Sequence, residues 1–481
     1  MGVKIGGQIE KVNGRELSYT EFAERYLAQN QPVVLTGLMD DWKASKEWVF
    51  THGQPNLYFF STHFSKSKVQ VADCGTRAFS DQKRLEMSVL EFVNHWLLQG
   101  SGDNFDGNGQ SVLYLKDWHF VKEYPEYQAY RTPPFFTDDW LNLYLDNYRM
   151  HDDPDSCQEN NDLCCSDYRF VYMGAKGSWT PLHADVFRSY SWSANVCGKK
   201  KWLLLPPLQC NLLFDRNMKS SVYNIFDDIS ETKFPGFKKA IWLECIQEQN
   251  EIIFVPSGWY HQVHNLEDTI SINHNWFNAY NLSWVWDLLL RDYKEAKEYI
   301  EDIKDICDDF EGLCQRNLAA NSGMNFNDFF IFISRFSLAN VLELYYLRGE
   351  SNSESWHWSA TVQHFALNLA SIRKIALKMK SEGGVQGNLG IHNLMESLGD
   401  PTFLKLSTDL GRIYAVIHEQ EKWSCTKKIL MADIEKHGSQ VCSPDDLVKF
   451  IDYAVSNLSG NCSEKNTLLS VLYDARPHQV N

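Results

Sequence analysis

Basic charge is scarce in this chain: 46 Lys and Arg stand against 62 Asp and Glu, a formal net charge of −16. Nucleic-acid backbones are held by clustered excess cations, so the deficit argues against direct nucleic-acid binding and suits basic protein partners better. Long apolar runs are missing too. None is expected to reach the length of a bilayer span, and no membrane role follows. No secretory apolar core stands at the start, and the twelve cysteines, among them Cys74, Cys157, Cys164, Cys165, Cys197 and Cys245, are scattered. A reducing compartment, nucleus or cytoplasm, is the expectation. Paired C-x₂-C knuckles are lacking, so His151 with Cys157, Cys164 and Cys165 reads as loop residues rather than a zinc site. There is no internal repeat of fixed period.

What is present is material for a large core. The 481 residues are 44% hydrophobic and 14% aromatic, enough for two or three domains. Phe22 and Tyr26 at helical spacing predict a short helix over 19–27, followed by a buried strand in Pro32-Val-Val-Leu-Thr36. Leu57-Tyr-Phe-Phe-Ser61 and Val69-Gln-Val-Ala72 read as strands, and Leu90, Phe92, Val93, Trp96 and Leu97 as the stripe of an amphipathic helix. The turn-rich stretch from Gly100 to Gly109 hands over to a strand at Val112-Leu-Tyr-Leu115. The acidic stretch from His151 to Asp167 has almost no apolar anchor and reads as an exposed insertion.

From Tyr168 to about Trp276 short β-rich runs alternate with Gly, Pro, Asp and Asn, the pattern of an antiparallel sandwich or barrel. Beyond it, helical patterns over 284–313, 326–347, 362–380, 409–421 and 447–456 predict an all-α C-terminal region, with a break at Gly383-Gly-Val-Gln-Gly-Asn-Leu-Gly390. The expected division is 1–150 for flanking helices and strands, 151–290 for a mainly β catalytic core of jelly-roll type, and 291–481 for the helical region.

The chemistry centres on Thr180-Pro-Leu-His183-Ala-Asp185. In an extended segment residues two apart share a side, so His183 and Asp185 reach one ion together. His261 follows 78 positions later, behind the turn Pro256-Ser-Gly258, and a jelly-roll brings such distant strands side by side. Two imidazoles and one carboxylate suit Fe(II) and leave its opposite positions open, whereas a structural site would recruit a fourth protein ligand. Taken singly, each histidine is as well explained as a core or surface residue, and His264 competes with His261.

The surrounding segments decide between these. Tyr168-Arg-Phe-Val-Tyr-Met-Gly174, the His183-Ala-Asp185 segment, Gly198-Lys-Lys200-Lys-Trp-Leu-Leu-Leu-Pro-Pro207 and Phe254-Val-Pro-Ser-Gly-Trp-Tyr-His261 together resemble a JmjC domain. Leu113-Tyr114-Leu115 and Phe135-Phe-Thr-Asp-Asp139 extend the likeness over roughly the first 290 residues. Asp117-Trp-His119 and Asn273-His-Asn-Trp276 are similar to the JmjC-only branch.

The resemblance implies an iron- and 2-oxoglutarate-dependent oxygenase, with O₂ as second co-substrate, on a double-stranded β-helix. It implies His183, Asp185 and His261 as metal ligands and catalytic centre. It further implies Lys200 as the cation for the distal carboxylate of 2-oxoglutarate, Thr180 and Tyr114 as hydroxyl donors to it, and Asn273 as a further polar contact. His261 rather than His264 matches the family position. The neighbours of Lys200, Lys199 and Lys201, read as solvated charges, and His274 as a core or supporting histidine. The branch implies a protein substrate and side-chain hydroxylation of the kind seen on a translation factor. The alternative is N-demethylation of arginine or lysine on a histone tail, because loops and grooves rather than the metal motif choose the substrate. A non-catalytic cupin-like module would be expected to lack a ligand or the lysine, and none is missing. In such proteins the helical region can support a homodimer or frame the substrate groove.

Overall fold

The computed structural model describes residues 3–100, 111–150, 167–350, 356–382, 392–419 and 440–459. The turn-rich loop after Gly100, the acidic stretch with His151, Cys157, Cys164 and Cys165, and the glycine-rich break at 383–390 lie outside the described residues. The chain forms two units, Met1–Phe136 with Ser166–Trp276, and Thr137–Cys165 with Phe277–Asn481.

The first unit is built on strands β1 (Lys4–Gln8), β2 (Lys11–Asn13), β3 (Val33–Thr36), β4 (Lys68–Ala78), β5 (Asp81–Ser88), β6 (Leu113–Trp118) and β7 (Arg169–Gly174). It continues with β8 (Trp179–His183), β9 (Tyr190–Cys197), β10 (Lys200–Leu205), β11 (Ile241–Gln247), β12 (Glu251–Val255), β13 (Tyr260–Asn265) and β14 (Thr269–Trp276). One sheet runs β2-β3-β12-β9-β14-β7-β6-β4-β5 and the other β1-β11-β10-β13-β8. From β7 onward the chain steps back and forth between the two sheets, which is the winding of a double-stranded β-helix. Pairing is antiparallel as the pattern predicts, except for the parallel pairs β1 with β11 and β2 with β3.

The alternation of β12 shows how the two faces are used. Phe254 meets Phe22 of the N-terminal helix at 5.5 Å between ring centroids. Ile253 and Val255 turn the other way and join Trp202, Leu204 and Val263 in the barrel core. A strand buried on both faces reads as a continuous apolar run, as Ile252-Ile-Phe-Val255 does.

Two local expectations need correction. Leu57–His63 is a helix, not a strand. Asn56 accepts from the amide of Phe59 at 3.2 Å and so caps it, and Leu57, Phe60 and Phe64 fall on one buried face. Cap and period outweighed the β propensity of the aromatics. The helix Val89–Gly100 is present, started by a reciprocal box in which the Ser88 amide donates to Glu91 at 2.7 Å and the Glu91 amide to Ser88 Oγ at 3.2 Å. Its buried stripe is Phe92, Val93 and Trp96, whereas Leu90 and Leu97 are exposed.

The second unit is helical: Trp140–Leu145, Leu282–Tyr299, Phe310–Ser322, Phe326–Glu350, Ala360–Ser381, Leu394–Gly399, Pro401–Ile417 and Pro444–Ser459. A short pair, β15 (His392–Asn393) with β16 (Gln440–Val441), interrupts the all-α pattern. The single helix predicted over 284–313 is two, because Asp309 accepts from the amide of Gly312 at 2.9 Å and starts a new one. One described helix, Phe326–Gly349, is long and apolar enough by length and composition to cross a bilayer, which corrects the expectation that none is. Its window is 83% buried within the protein, as a core helix is.

Asp138, 1% exposed, ties this unit together: it accepts from Tyr414 Oη at 2.8 Å, Trp140 Nε1 at 3.0 Å and Asn278 Nδ2 at 3.0 Å. Asp138→Ala takes the carboxylate from three buried donors; Trp140 keeps Tyr414 Oη and Asn278 keeps the backbone carbonyl of residue 138, so the change is expected to cost this unit about 1–3 kcal/mol. Chemical denaturation would register it as an earlier midpoint at unchanged slope; a shift below about 1 kcal/mol would mean the donors find other partners.

Candidate active site

β8 and β13 run antiparallel with His183 directly opposite His261, so the sheet itself places the two imidazoles together, 4.3 Å between ring centroids. The return into β13 passes through Gly258 at φ +74°, a left-handed position that suits glycine. Each ring is fixed from behind: His183 Nδ1 donates to the carbonyl of Pro181 at 2.8 Å and His261 Nδ1 to that of Trp259 at 3.1 Å. A carbonyl only accepts, so both Nδ1 atoms carry the proton and both Nε2 lone pairs are left for a metal. Burial, then the neighbouring His261, pushes His183 down to about 4, which keeps it neutral.

Asp185 follows the end of β8 in extended conformation. Ser191 Oγ donates to its Oδ2 at 2.6 Å and holds the carboxylate toward the histidines. The ligand atoms of His183, Asp185 and His261 all lie within 4.8 Å of one another. Three such donors, two neutral and one anionic, fit a divalent iron with open positions. Ser191→Ala is expected to weaken metal binding about 10- to 100-fold, read by titration with Mn(II); an unchanged affinity would show that the hydroxyl does not orient Asp185.

Toward the other end of β13, Lys200 pairs with Asn265 and points inward, 2% exposed. Its Nζ donates to Ser271 Oγ at 2.8 Å and Tyr114 Oη at 3.3 Å. No carboxylate pairs with it among the described residues, and burial lowers the ammonium to about 7. Such a cation is costly without an anion. Tyr114 can approach because Gly174 stands opposite it in β7: a Cβ there would come 2.6 Å from the Tyr114 ring. Burial raises the Tyr114 phenol, so it stays a neutral donor.

Asn273 donates to Ser271 Oγ at 3.1 Å and extends the polar row along β14. Thr180 is half-buried in β8 and faces Val263, beyond the irregularity that separates this pair from His183 and His261. Around this row the buried atoms Ser193 Oγ, Asn195 Oδ1 and Thr269 Oγ1 have no hydrogen-bond partner among the described residues. A free cation and orphaned polar atoms in one buried pocket fit a small polar anion such as 2-oxoglutarate.

The competing residues lie elsewhere. His264 is on the opposite face of β13, stacked on Trp179 at 5.5 Å, and bonds Gln262 at 2.8 Å. His274 packs against Trp192 at 4.2 Å, and burial holds it well below its ordinary range. Lys199 pairs with Glu248 and Lys201 with Glu244 on the outside. Two contributors escaped the sequence reading. Ser271 shares the strand parity of Asn273 but belongs to no motif, and Ser191 carries no motif signal at all.

The Cupin-like domain family matches residues 19–281. Over 457 residues, 94% of this chain and 98% of the relative, the sequence is 61% identical to the arginine-specific demethylase JMJ20 of Arabidopsis thaliana. It is 42% identical over 323 residues (66% and 72%) to the 2-oxoglutarate and iron-dependent oxygenase JMJD4 of Danio rerio. To the protein of the same name from Homo sapiens it is 35% identical over 330 residues (68% and 75%).

Proposed function

The chain belongs to the cupin-like family, in its JmjC branch, and on that premise we propose that it is an iron- and 2-oxoglutarate-dependent oxygenase of protein side chains. The observation that carries the reading is the coincidence, in one barrel, of the His183, Asp185 and His261 donor set with the buried, carboxylate-free Lys200.

His183, Asp185 and His261 would hold Fe(II), whose chemistry would be activation of O₂, with decarboxylation of 2-oxoglutarate to succinate and CO₂ coupled to insertion of one oxygen atom into a substrate C–H bond. The chain's own residues place and shield the reactants. His183, Asp185 and His261 hold the metal on one side, with Ser191 and the two backbone carbonyls fixing their orientation. Lys200, Ser271 and Tyr114 bind the distal carboxylate, with Thr180 and Asn273 beside them, and so orient the co-substrate before reaction. Trp202, Leu204 and Val263 close the barrel behind the metal and exclude water.

The main reading of the product is a hydroxylated side chain on a translation factor, as the family resemblance implies; the JMJD4 relatives, named 2-oxoglutarate and iron-dependent oxygenases, support the oxygenase chemistry. A second is favoured by the JMJ20 relative, 61% identical over nearly its full length: an oxygen inserted into an N-methyl group of arginine gives a hemiaminal that releases formaldehyde, so a histone tail would be demethylated at the same site. Mass spectrometry of a panel of lysine- and dimethylarginine-containing peptides separates them. A gain of one oxygen supports hydroxylation, and loss of CH₂ with formaldehyde supports demethylation. Succinate formation that no peptide stimulates would count against both. A reducing nuclear or cytoplasmic location accords with buried thiols such as Cys197, Cys245 and Cys314, which pair with no other cysteine among the described residues. A homodimer formed through the helical unit is the remaining proposal, to be read from the mass in solution.

A further inference from the structure

The barrel holds a second buried lysine that the reaction as outlined does not use. Lys116 in β6 is 2% exposed and points to the same side as Tyr114, two residues earlier. Its Nζ lies 5.3 Å from the centroid of the Tyr114 ring. Its hydrogen bond runs to Gln82 Oε1 at 3.0 Å. Asp81 and Asp117 favour its charge through space and Arg84 opposes it, but no carboxylate among the described residues comes within ion-pair distance of the ammonium. An ammonium has three donors, so two N–H groups remain for a ligand in this buried place.

Strand register fixes where along the pocket this lysine stands. β6 is antiparallel to β7 and β7 to β14, so β6 and β14 run the same way. Tyr114 and Thr269 both face Gly174, and Trp118 and Ile272 both face Val171. β14 then continues to Asn275, which faces Ser191, the residue that holds Asp185. Moving from Tyr114 to Lys116 is therefore a step from the Lys200 end of the pocket toward the metal ligands. In agreement, the charge of Lys116 is felt both at His183 and at Lys200.

We propose that Lys116 is a second anchor for the co-substrate, taking the carboxylate at the 2-oxo end of 2-oxoglutarate while Lys200 takes the distal one. The inference rests on the 2-oxoglutarate reading above. It gives the dianion one cation at each end, and assigns Gln82 as the residue that aims Lys116.

Equilibrium binding tests it with the full chain loaded with Mn(II), using 2-oxoglutarate and 2-oxobutanoate, which keeps the 2-oxo acid end and lacks the distal carboxylate. Lys116→Met is expected to weaken both ligands by the same factor, about tenfold or more, leaving their affinity ratio as in the wild type. Lys200→Met should instead collapse that ratio. Unchanged affinities in Lys116→Met, or a loss confined to 2-oxoglutarate, overturn the assignment. Should Lys116→Met not fold, Lys116→Gln is read in the same way. If the wild type binds neither acid, the co-substrate reading itself fails; if it binds both and the Lys116 variants match it, only this inference does.

Discussion

His183→Ala protein is expected to release no succinate from 2-oxoglutarate above the metal-free background at any practical Fe(II) concentration. His183, Asp185 and His261 together would hold the metal, and with one imidazole gone the remaining pair, His261 and Asp185, would offer it too few donors. The fold should survive, because the imidazole donates only to the local Pro181 carbonyl, a bond worth about 1 kcal/mol. A thermal transition close to the wild type with no turnover is thus the expected pair of results. His264→Ala supplies the control: its ring lies on the other face of β13 against Trp179, and turnover should persist. Substantial succinate release from His183→Ala would remove that residue from the ligand set.

Lys200→Met should separate binding from stability, in opposite directions. Removing one partner of a buried charge pair typically costs about 2–5 kcal/mol of affinity, so the dissociation constant for 2-oxoglutarate should rise roughly 30-fold to several thousandfold. Without co-substrate, the same change relieves the protein of a buried ammonium that has no carboxylate beside it, and thermal stability should hold or increase. A marked loss of stability in the variant would mean that Lys200 serves the fold. The wild type carries a matching pH signature. Burial lowers the Lys200 ammonium to about 7 in the free protein, and a bound carboxylate favours the charged form and raises it. Affinity is then full below about 7 and declines as pH rises from the free value through the bound one. Calorimetry at pH 7.5 in buffers of different ionisation enthalpy should show net proton uptake on binding; zero uptake would contradict the charge state assigned to Lys200.

The juxtaposition of His183, Asp185 and His261 was legible because their spacing and strand context follow simple alternation, and the register of β8 with β13 sets His183 against His261. The helical region was legible in the same sense, from period alone. What escaped was whatever depends on a particular side-chain contact that residue type and period do not announce. Leu57-Tyr-Phe-Phe-Ser61 has the composition of a strand, and only the side chain of Asn56, folded back onto the Phe59 amide, makes it a helix. Ser271, Ser191 and Lys116 carry ordinary residue types, and their roles arise from Lys200, Asp185 and Gln82 respectively, 71, 6 and 34 positions away. Phe326–Gly349 shows the converse. Its buried environment explains an apolar composition that by itself would equally suit a membrane.

The backbone carbonyls of Pro181 and Trp259 engage both Nδ1 atoms and so leave both Nε2 lone pairs to any divalent ion. Nothing in this donor set by itself selects iron. Imidazole and carboxylate donors bind Co(II), Ni(II) and Cu(II) more tightly than Fe(II) by the ordinary order of divalent affinities, and Zn(II) competes as well. Which ion occupies the barrel is therefore set by the free metal concentrations where the protein folds. Cobalt or nickel excess should silence the enzyme without unfolding it, and chelation followed by Fe(II) should bring it back.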